Sequence, residues 1–268
     1  MTSYIPLTHG DLLLASIFLA MNALFSILLN LRLERQLIIS ALRMIAQLLL
    51  VGLVLKTVFT LSSPWLTLLV AAVMVTFAGR EIWARQDRRL RGVWGFGLGG
   101  TSMLLAGTMV TVFALTTQIQ PTPWWSPQFA LPLFGMILGN TMTGVSLGLD
   151  TLHGALYTER AAIEARLLLG SSRWQAVSTA LQRAVRSGFT PIINSMAATG
   201  VVSLPGMMTG QILSGVDPQE AVKYQILITL LIGGATGMGV LAATFGSVWQ
   251  LTDGRERLRL DRLAAPRK

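Results

Sequence analysis

Seven apolar stretches of membrane length alternate with hydrophilic segments, four of them rich in arginine, near positions 10–31, 37–55, 64–79, 93–117, 129–149, 188–215 and 221–251. This alternation limits the chain to a bundle of helices in a bilayer. A helix needs about 20 apolar residues to cross roughly 30 Å of hydrocarbon. In lipid every backbone polar group must find its partner within the protein, which leaves helices and closed barrels. Long unbroken apolar runs, rather than alternation with period two, select the helix. Charged residues make up 12% of the chain, half of the roughly 25% usual in a soluble domain. The expected fold is all-α: a single polytopic domain over 1–268 with seven transmembrane helices.

The basic residues set the expected orientation. Arg32 and Arg35 lie between the first two stretches, and Arg80, Arg85, Arg88, Arg89 and Arg91 lie near the boundary of the third and fourth. Arg160, Arg166, Arg173, Arg183 and Arg186 lie between the fifth and sixth, and the tail at 252–268 adds Arg255, Arg257, Arg259, Arg262, Arg267 and Lys268. With alternating crossings, 18 of the 21 basic residues fall on one side, and only Lys56 and Lys223 on the other. The positive-inside rule makes the arginine-rich side cytoplasmic, with the N-terminus outside and the C-terminus inside. The outer loop QIQPTPWWSPQ (118–128) carries no charge and places Trp124 and Trp125 at the interface, where amphipathic rings settle. The net charge of +9 is thus a topology signal and an attraction to anionic inner-leaflet lipid. It does not call for nucleic acid as a partner.

Several chemistries are not supported. There is no cysteine, so disulfides and thiolate metal sites are excluded. His9 and His153 are too far apart in sequence for a recognisable metal or triad motif. The start, MTSYIPLTHGD, lacks a basic n-region, so no cleaved signal peptide is expected. Gly95, Gly97 and Gly100 form a G-x-G-x-x-G, but no βαβ unit surrounds it, and close helix approach explains the glycines better. No G-x-x-x-x-G-K-[ST] occurs, so no P-loop nucleotide site is expected.

Two segments carry the functional reading. In the first, 188–215, Pro191 and Pro205 sit inside an apolar run, with Gly206 directly after the second. Each proline removes a backbone donor and crowds the carbonyl four residues back, so a helix here kinks or breaks. Broken membrane helices need protein or cavity water for their freed groups and therefore lie inside a bundle or beside a transport path. Either position satisfies the residues. The second segment, 150–187, is the longest hydrophilic stretch, helix-compatible and expected in the cytoplasm. Within it Glu164-Ala165 is followed by Gly170-Ser171. A glycine there permits a left-handed turn between two short helices, with Leu167–Leu169 as an apolar knob. This pattern resembles the coupling motif of ABC importer permeases, and an amphipathic surface hairpin fits it equally well.

Polar and soft groups recur within the spans. Arg43 lies about 9 Å inside the second stretch at 1.5 Å per residue. It either snorkels to the surface or pairs in the interior. Gln47 follows it at i+4. Met136 and Asn140 repeat that spacing, Met142 follows, and Met207 and Gln211 repeat it again beside Met208. With Asn194 and Ser203 these residues outline one candidate polar seam. Methionine thioethers suit soft or borderline metals and serve equally as flexible core filler, so the metal ligands stay unassigned.

At VSLPGMMTGQILSGVDPQEAVKYQI (202–226) the chain resembles the Fet-type ABC transporter permeases, a family linked to bacterial iron export and to the plant aluminium-tolerance permease. LRMIAQLLLVGLVLK (42–56), GMILGNTM (135–142) and EARLLLGSSRWQA (164–176) are similar to the same family. The resemblance implies a bacterial inner-membrane permease subunit that acts as a homodimer. It implies no enzyme activity and no cofactor in this chain; ATP and Mg would be bound by a separate ABC ATPase subunit. Iron or another metal would be exported, with nucleotide-sugar transport among plant relatives as an alternative cargo class. Glu164, Ala165, Gly170 and Ser171 would couple to the ATPase. An ATP-independent transporter would want paired ionisable groups within the spans, and Arg43 is the only clear one. A lipid-modifying enzyme would want clustered acids or histidines at the interface, which the sequence does not offer.

Overall fold

The computed structural model describes residues 8–265. It is built of α-helices, and no β-strand occurs among the described residues. The chain divides into two compact units, one up to Ser62 and one from Ser63 onward.

The first unit is a helical hairpin of α1 (His9–Leu28) and α2 (Glu34–Leu61). Thr8 caps α1: its hydroxyl accepts from the Asp11 amide at 3.3 Å while Asp11 accepts from the Thr8 amide at 2.8 Å. The turn closes on Ser26, which donates to Glu34 at 2.7 Å and accepts from the Leu33 amide at 2.9 Å.

The second unit contains α3 (Pro64–Arg85), α4 (Val93–Phe113), α5 (Pro127–Thr158), α6 (Arg160–Leu168), α7 (Arg173–Ala176), α8 (Ser178–Ala198), α9 (Gly206–Leu213) and α10 (Pro218–Gln250). A π-helical turn, Ala114–Ile119, extends α4. Helix starts follow local chemistry. Pro64, Pro127 and Pro218 occupy first-turn positions where a missing N–H costs nothing, and Asp217 caps α10 through the Gln219 amide at 2.9 Å.

Small residues fix the packing of α5 against α8. A Cβ on Gly188 would lie 2.9 Å from the Gly144 carbonyl, and one on Gly144 would lie 2.8 Å from the Gly188 carbonyl. The two backbones touch, as in tight membrane bundles. Gly148 meets Ala184 further along, so α5 and α8 run antiparallel. Thr141 lies against Gly239, and Thr244 against Gly148, so α10 runs parallel to α5. Ile82 against Gly99, and Leu98 against Gly246, set α4 antiparallel to α3 and α10. Helices α3, α5 and α10 therefore point one way, and α4 and α8 the other.

Among the described residues six helices are long and apolar enough to cross a membrane: Gly10–Leu28, Glu34–Leu61, Pro64–Arg85, Gly97–Ile119, Pro127–Thr158 and Pro218–Gln250. The seventh expected span, 188–215, is not one helix. Its first part belongs to α8, which starts at Ser178 and runs through Pro191 without interruption. One proline removes one intrahelical bond, and packing of Ala184, Gly188 and Ile192 keeps the rod together. The break falls later, at 199–205. Gly200 there has φ +88°, its amide donates to the Ser203 carbonyl at 2.9 Å, and Pro205 forms the N-cap of α9.

Candidate functional site

Three segments meet at one end of the second unit. The Arg91 amide donates to the Arg262 carbonyl at 2.7 Å, and the Ala264 amide donates to the Arg89 carbonyl at 2.7 Å. Arg173 donates to Glu256 from its backbone at 2.5 Å and from Nε at 3.0 Å. The α3–α4 connection, the α6–α7 hairpin and the chain after α10 are thus tied together. Asp253 in that last segment is held below the ordinary aspartate value, first by the Arg257 backbone N–H. Asp261 is held below it by the Arg259 guanidinium, whose Nε lies 2.9 Å away.

His153 locks this end to the helix core, a role that the sequence did not suggest. It is fully buried. Nδ1 lies 2.9 Å from the Arg88 carbonyl, which can only accept, so Nδ1 carries the hydrogen. In the neutral ring Nε2 then accepts from the Ser247 hydroxyl at 2.7 Å. Its two partners lie 65 and 94 positions away in the chain, and no local pattern announces them.

The α6–α7 hairpin projects from the same end. Ser172 caps α7 reciprocally with Gln175, and Gly170 makes the turn at φ +90°, a conformation that L side chains resist. Leu167 packs into the core below, whereas Leu168 and Leu169 are 89% and 87% exposed. The apolar knob therefore has two members rather than three. Glu164 pairs with Arg160 at 2.8 Å along α6, Ala165 is exposed, and the Ser171 amide closes the turn on the Arg166 carbonyl at 3.1 Å. Arg183 on α8 pairs with Glu159 at the start of the hairpin. The hairpin leads through α7 into α8, and α8 ends at the break.

The opposite end holds a cavity of about 520 Å³ bounded by Ile119, Pro132, Met136, Met207, Gln211 and Tyr224. The Gln211 Oε1 atom is buried there without a hydrogen bond. Of the candidate seam, the structure brings together Met136, Met207 and Gln211. Met142 packs elsewhere, with the cluster around Met103 and Val145, and Met208 is half-buried. Asn140 is exposed and donates to the Met136 carbonyl at 2.8 Å, and Asn194 and Ser203 are exposed. Arg43 and Gln47 lie in the other unit, on exposed positions of α2. Among the described residues no group of three or more His, Cys, Asp or Glu side chains is placed to hold a metal ion.

Comparison with known proteins supplies the family. The profile of the family described as "Uncharacterised protein family (UPF0014)" matches residues 9–251. The UPF0014 membrane protein slr1647 of Synechocystis is 40% identical over 218 residues, covering 80% of this chain and 82% of its own. The probable iron export permease protein FetB of Escherichia coli is 30% identical over 258 residues, covering 96% and 97%. ALUMINUM SENSITIVE 3 of Arabidopsis thaliana is 32% identical over 216 residues, covering 81% and 77%. No solved structure matches.

Proposed function

The chain belongs to the UPF0014 family of membrane proteins, and from that premise we propose that it is the permease subunit of an ABC exporter. A separate ATPase subunit binds ATP and Mg and docks on the α6–α7 hairpin. Two copies of each subunit assemble, because one chain offers one hairpin and two nucleotide sites need two. The membrane is the bacterial inner membrane, with the arginine-rich end in the cytoplasm. The antiparallel run of α8 against α5 and α10 supports counting α8, the break and α9 as one further crossing beside the six continuous spans. The cargo is iron or another metal ion, a reading carried over from the printed name of FetB.

One observation carries this proposal. Leu168 and Leu169 stand almost fully exposed at the arginine-rich end, on a hairpin that leads directly into the helix ending at the break. Exposed leucines on a capped, rigid turn are what a partner groove needs. Movement of the hairpin is passed along α8 to 199–205, where the backbone is already interrupted. The test is transport into inside-out vesicles that contain this chain and its ATPase. ATP-dependent uptake of ferrous iron, abolished when the ATPase is omitted, supports the reading. Equal transport by the purified chain alone rejects it.

A further inference from the structure

The lipid-exposed faces of the second unit are not alike. On α4 the exposed side shows Leu105, Met109 and Phe113, and on α10 it shows Leu230, Leu241, Phe245 and Trp249. On α8 the exposed residues include Thr179, Gln182, Arg183, Arg186, Thr190, Asn194 and Ala197, a largely polar stripe at spacings of three and four along the rod, with the apolar Ile193 and Met196 exposed beside its last turns. The contact between Gly144 and Gly188 fixes the depth of this stripe. In the antiparallel pair, Asn194 lies level with residues near 138, close to the middle of the apolar stretch 129–149. Asn194 is thus near the membrane midplane. Among the described residues its amide makes no hydrogen bond, whereas the hydroxyl of Thr190 is satisfied by the Arg186 carbonyl at 2.8 Å. An unbonded amide at that depth is strongly disfavoured against lipid.

We infer that the exposed stripe of α8 lines the transport path, and that the same stripe of a second copy completes it. This rests on the dimeric permease reading and names the surface involved. A two-fold axis along the membrane normal places like residues opposite one another. The midplane part of the stripe, from Thr190 to Ala197, is uncharged and can meet itself without repulsion, its amides bonding across the axis or to path water. Its cytoplasmic end carries Arg183, already paired with Glu159, and Arg186. Its other end runs into the break, where Val201 is 91% exposed.

The absence of cysteine makes the test direct. Thr190→Cys, Asn194→Cys and Ala197→Cys are made singly, with Leu105→Cys and Leu230→Cys on the apolar faces as comparison, in membranes containing the ATPase. Oxidative cross-linking is expected to convert at least two of the three α8 variants to a band of twice the mass. A membrane-impermeant maleimide should react with them at least tenfold faster than with the comparison positions. If the α8 cysteines neither cross-link nor react, or react only with lipid-soluble reagents, the inference falls. Mass measurement of the solubilised complex separates the two readings. A dimer with unreactive α8 cysteines overturns this surface alone, whereas a single copy overturns the dimeric permease as well.

Discussion

Gly144 on α5 and Gly188 on α8 bring their backbones into contact, each carbonyl lying within 2.9 Å of where the other residue's Cβ would stand. Val240 of α10 closes the third side, with its Cγ1 at 2.7 Å from that position on Gly188. Three helices therefore meet where only hydrogen fits. Gly188→Ala must displace backbone or a branched side chain, at a cost of about 1–3 kcal/mol. Gly139→Ala, in the same helix as Gly144 with nothing within 4 Å of its added methyl, should be neutral or stabilise by about 0.5 kcal/mol. Thermal denaturation of the two variants in detergent is the comparison to make. Equal melting would show that the three helices do not meet at these glycines.

His153 joins the α3–α4 connection to α10. Replacing it with Phe keeps a flat ring, somewhat larger, but strands the Arg88 carbonyl and the Ser247 hydroxyl, at a combined cost of about 2–4 kcal/mol. Ser247→Ala removes only one bond, and about 1 kcal/mol should go with it. The expected readout is local as well as global: trypsin should cut after Arg89 or Arg91 several times faster in His153→Phe than in the parent. Unchanged cleavage would mean that this end is held by the backbone bonds to 262 and 264 alone.

The segment after α10 is anchored by Glu256, which receives both the backbone and the guanidinium of Arg173. Glu256→Ala should free the segment from the hairpin with a loss of about 1 kcal/mol, since both groups are partly solvated. Hydrogen exchange at residues 253–264 is expected to rise, with exchange along α5 unchanged. Uniform protection of this segment in the variant would contradict the anchoring role.

The acid dependence of the same segment has a definite sign. Asp253 accepts from the backbone amides of Arg255 and Arg257, and its carboxyl is held below the ordinary value. A depressed folded-state value stabilises above the unfolded value, about 3.9, and that contribution is lost as pH falls through the folded value. The turn at 253–257 should therefore stay intact from pH 8 to pH 5 and loosen only below about pH 4. Amide hydrogen exchange at 253–257, corrected for the intrinsic pH dependence of exchange, reads this out, and loosening between pH 6 and pH 5 would assign the turn to a different group.

Much of this arrangement was legible in the chain, because lipid imposes rules that sequence must obey. Continuous apolar runs gave α1 to α5 and α10, and the arginines marked the end where 85–91, 173 and 255–262 meet. Gly170 marked the turn, since a left-handed residue between helices has few alternatives. Hydropathy reports where lipid ends, not where a helix does: α5 runs on to Thr158 and α8 begins at Ser178, both within the stretch 150–187 whose sequence is helix-compatible. A proline at 191 predicts a kink or break, and the packing of Ala184, Gly188 and Ile192 overrides it. Residue type alone makes Asn194 a candidate for a polar seam. Its placement on a continuous exposed stripe needed the register set by Gly144 and Gly188, and that register, like the partners of His153, belongs to tertiary structure.

The hairpin gives the sharpest functional prediction. Gly170 is exposed and has nothing within 4 Å of an added Cβ, so the only obstacle to a side chain there is its φ of +90°. Gly170→Val strains that turn by about 1–2 kcal/mol without touching the membrane helices, so insertion and yield should not change. The geometry of Leu168 and Leu169 should change, and with it the fit to the ATPase. Leu168→Asp leaves the turn intact but places a charge on the knob. Both variants should bind the ATPase at least tenfold more weakly in pull-down titrations, and both should lose most of the stimulated ATP hydrolysis of the reconstituted complex. The two differ in rescue: Gly170→Asn, which tolerates the left-handed conformation, should recover most of the coupling lost in Gly170→Val. Full coupling in Leu168→Asp would remove the knob from the interface, whatever the glycine variants do.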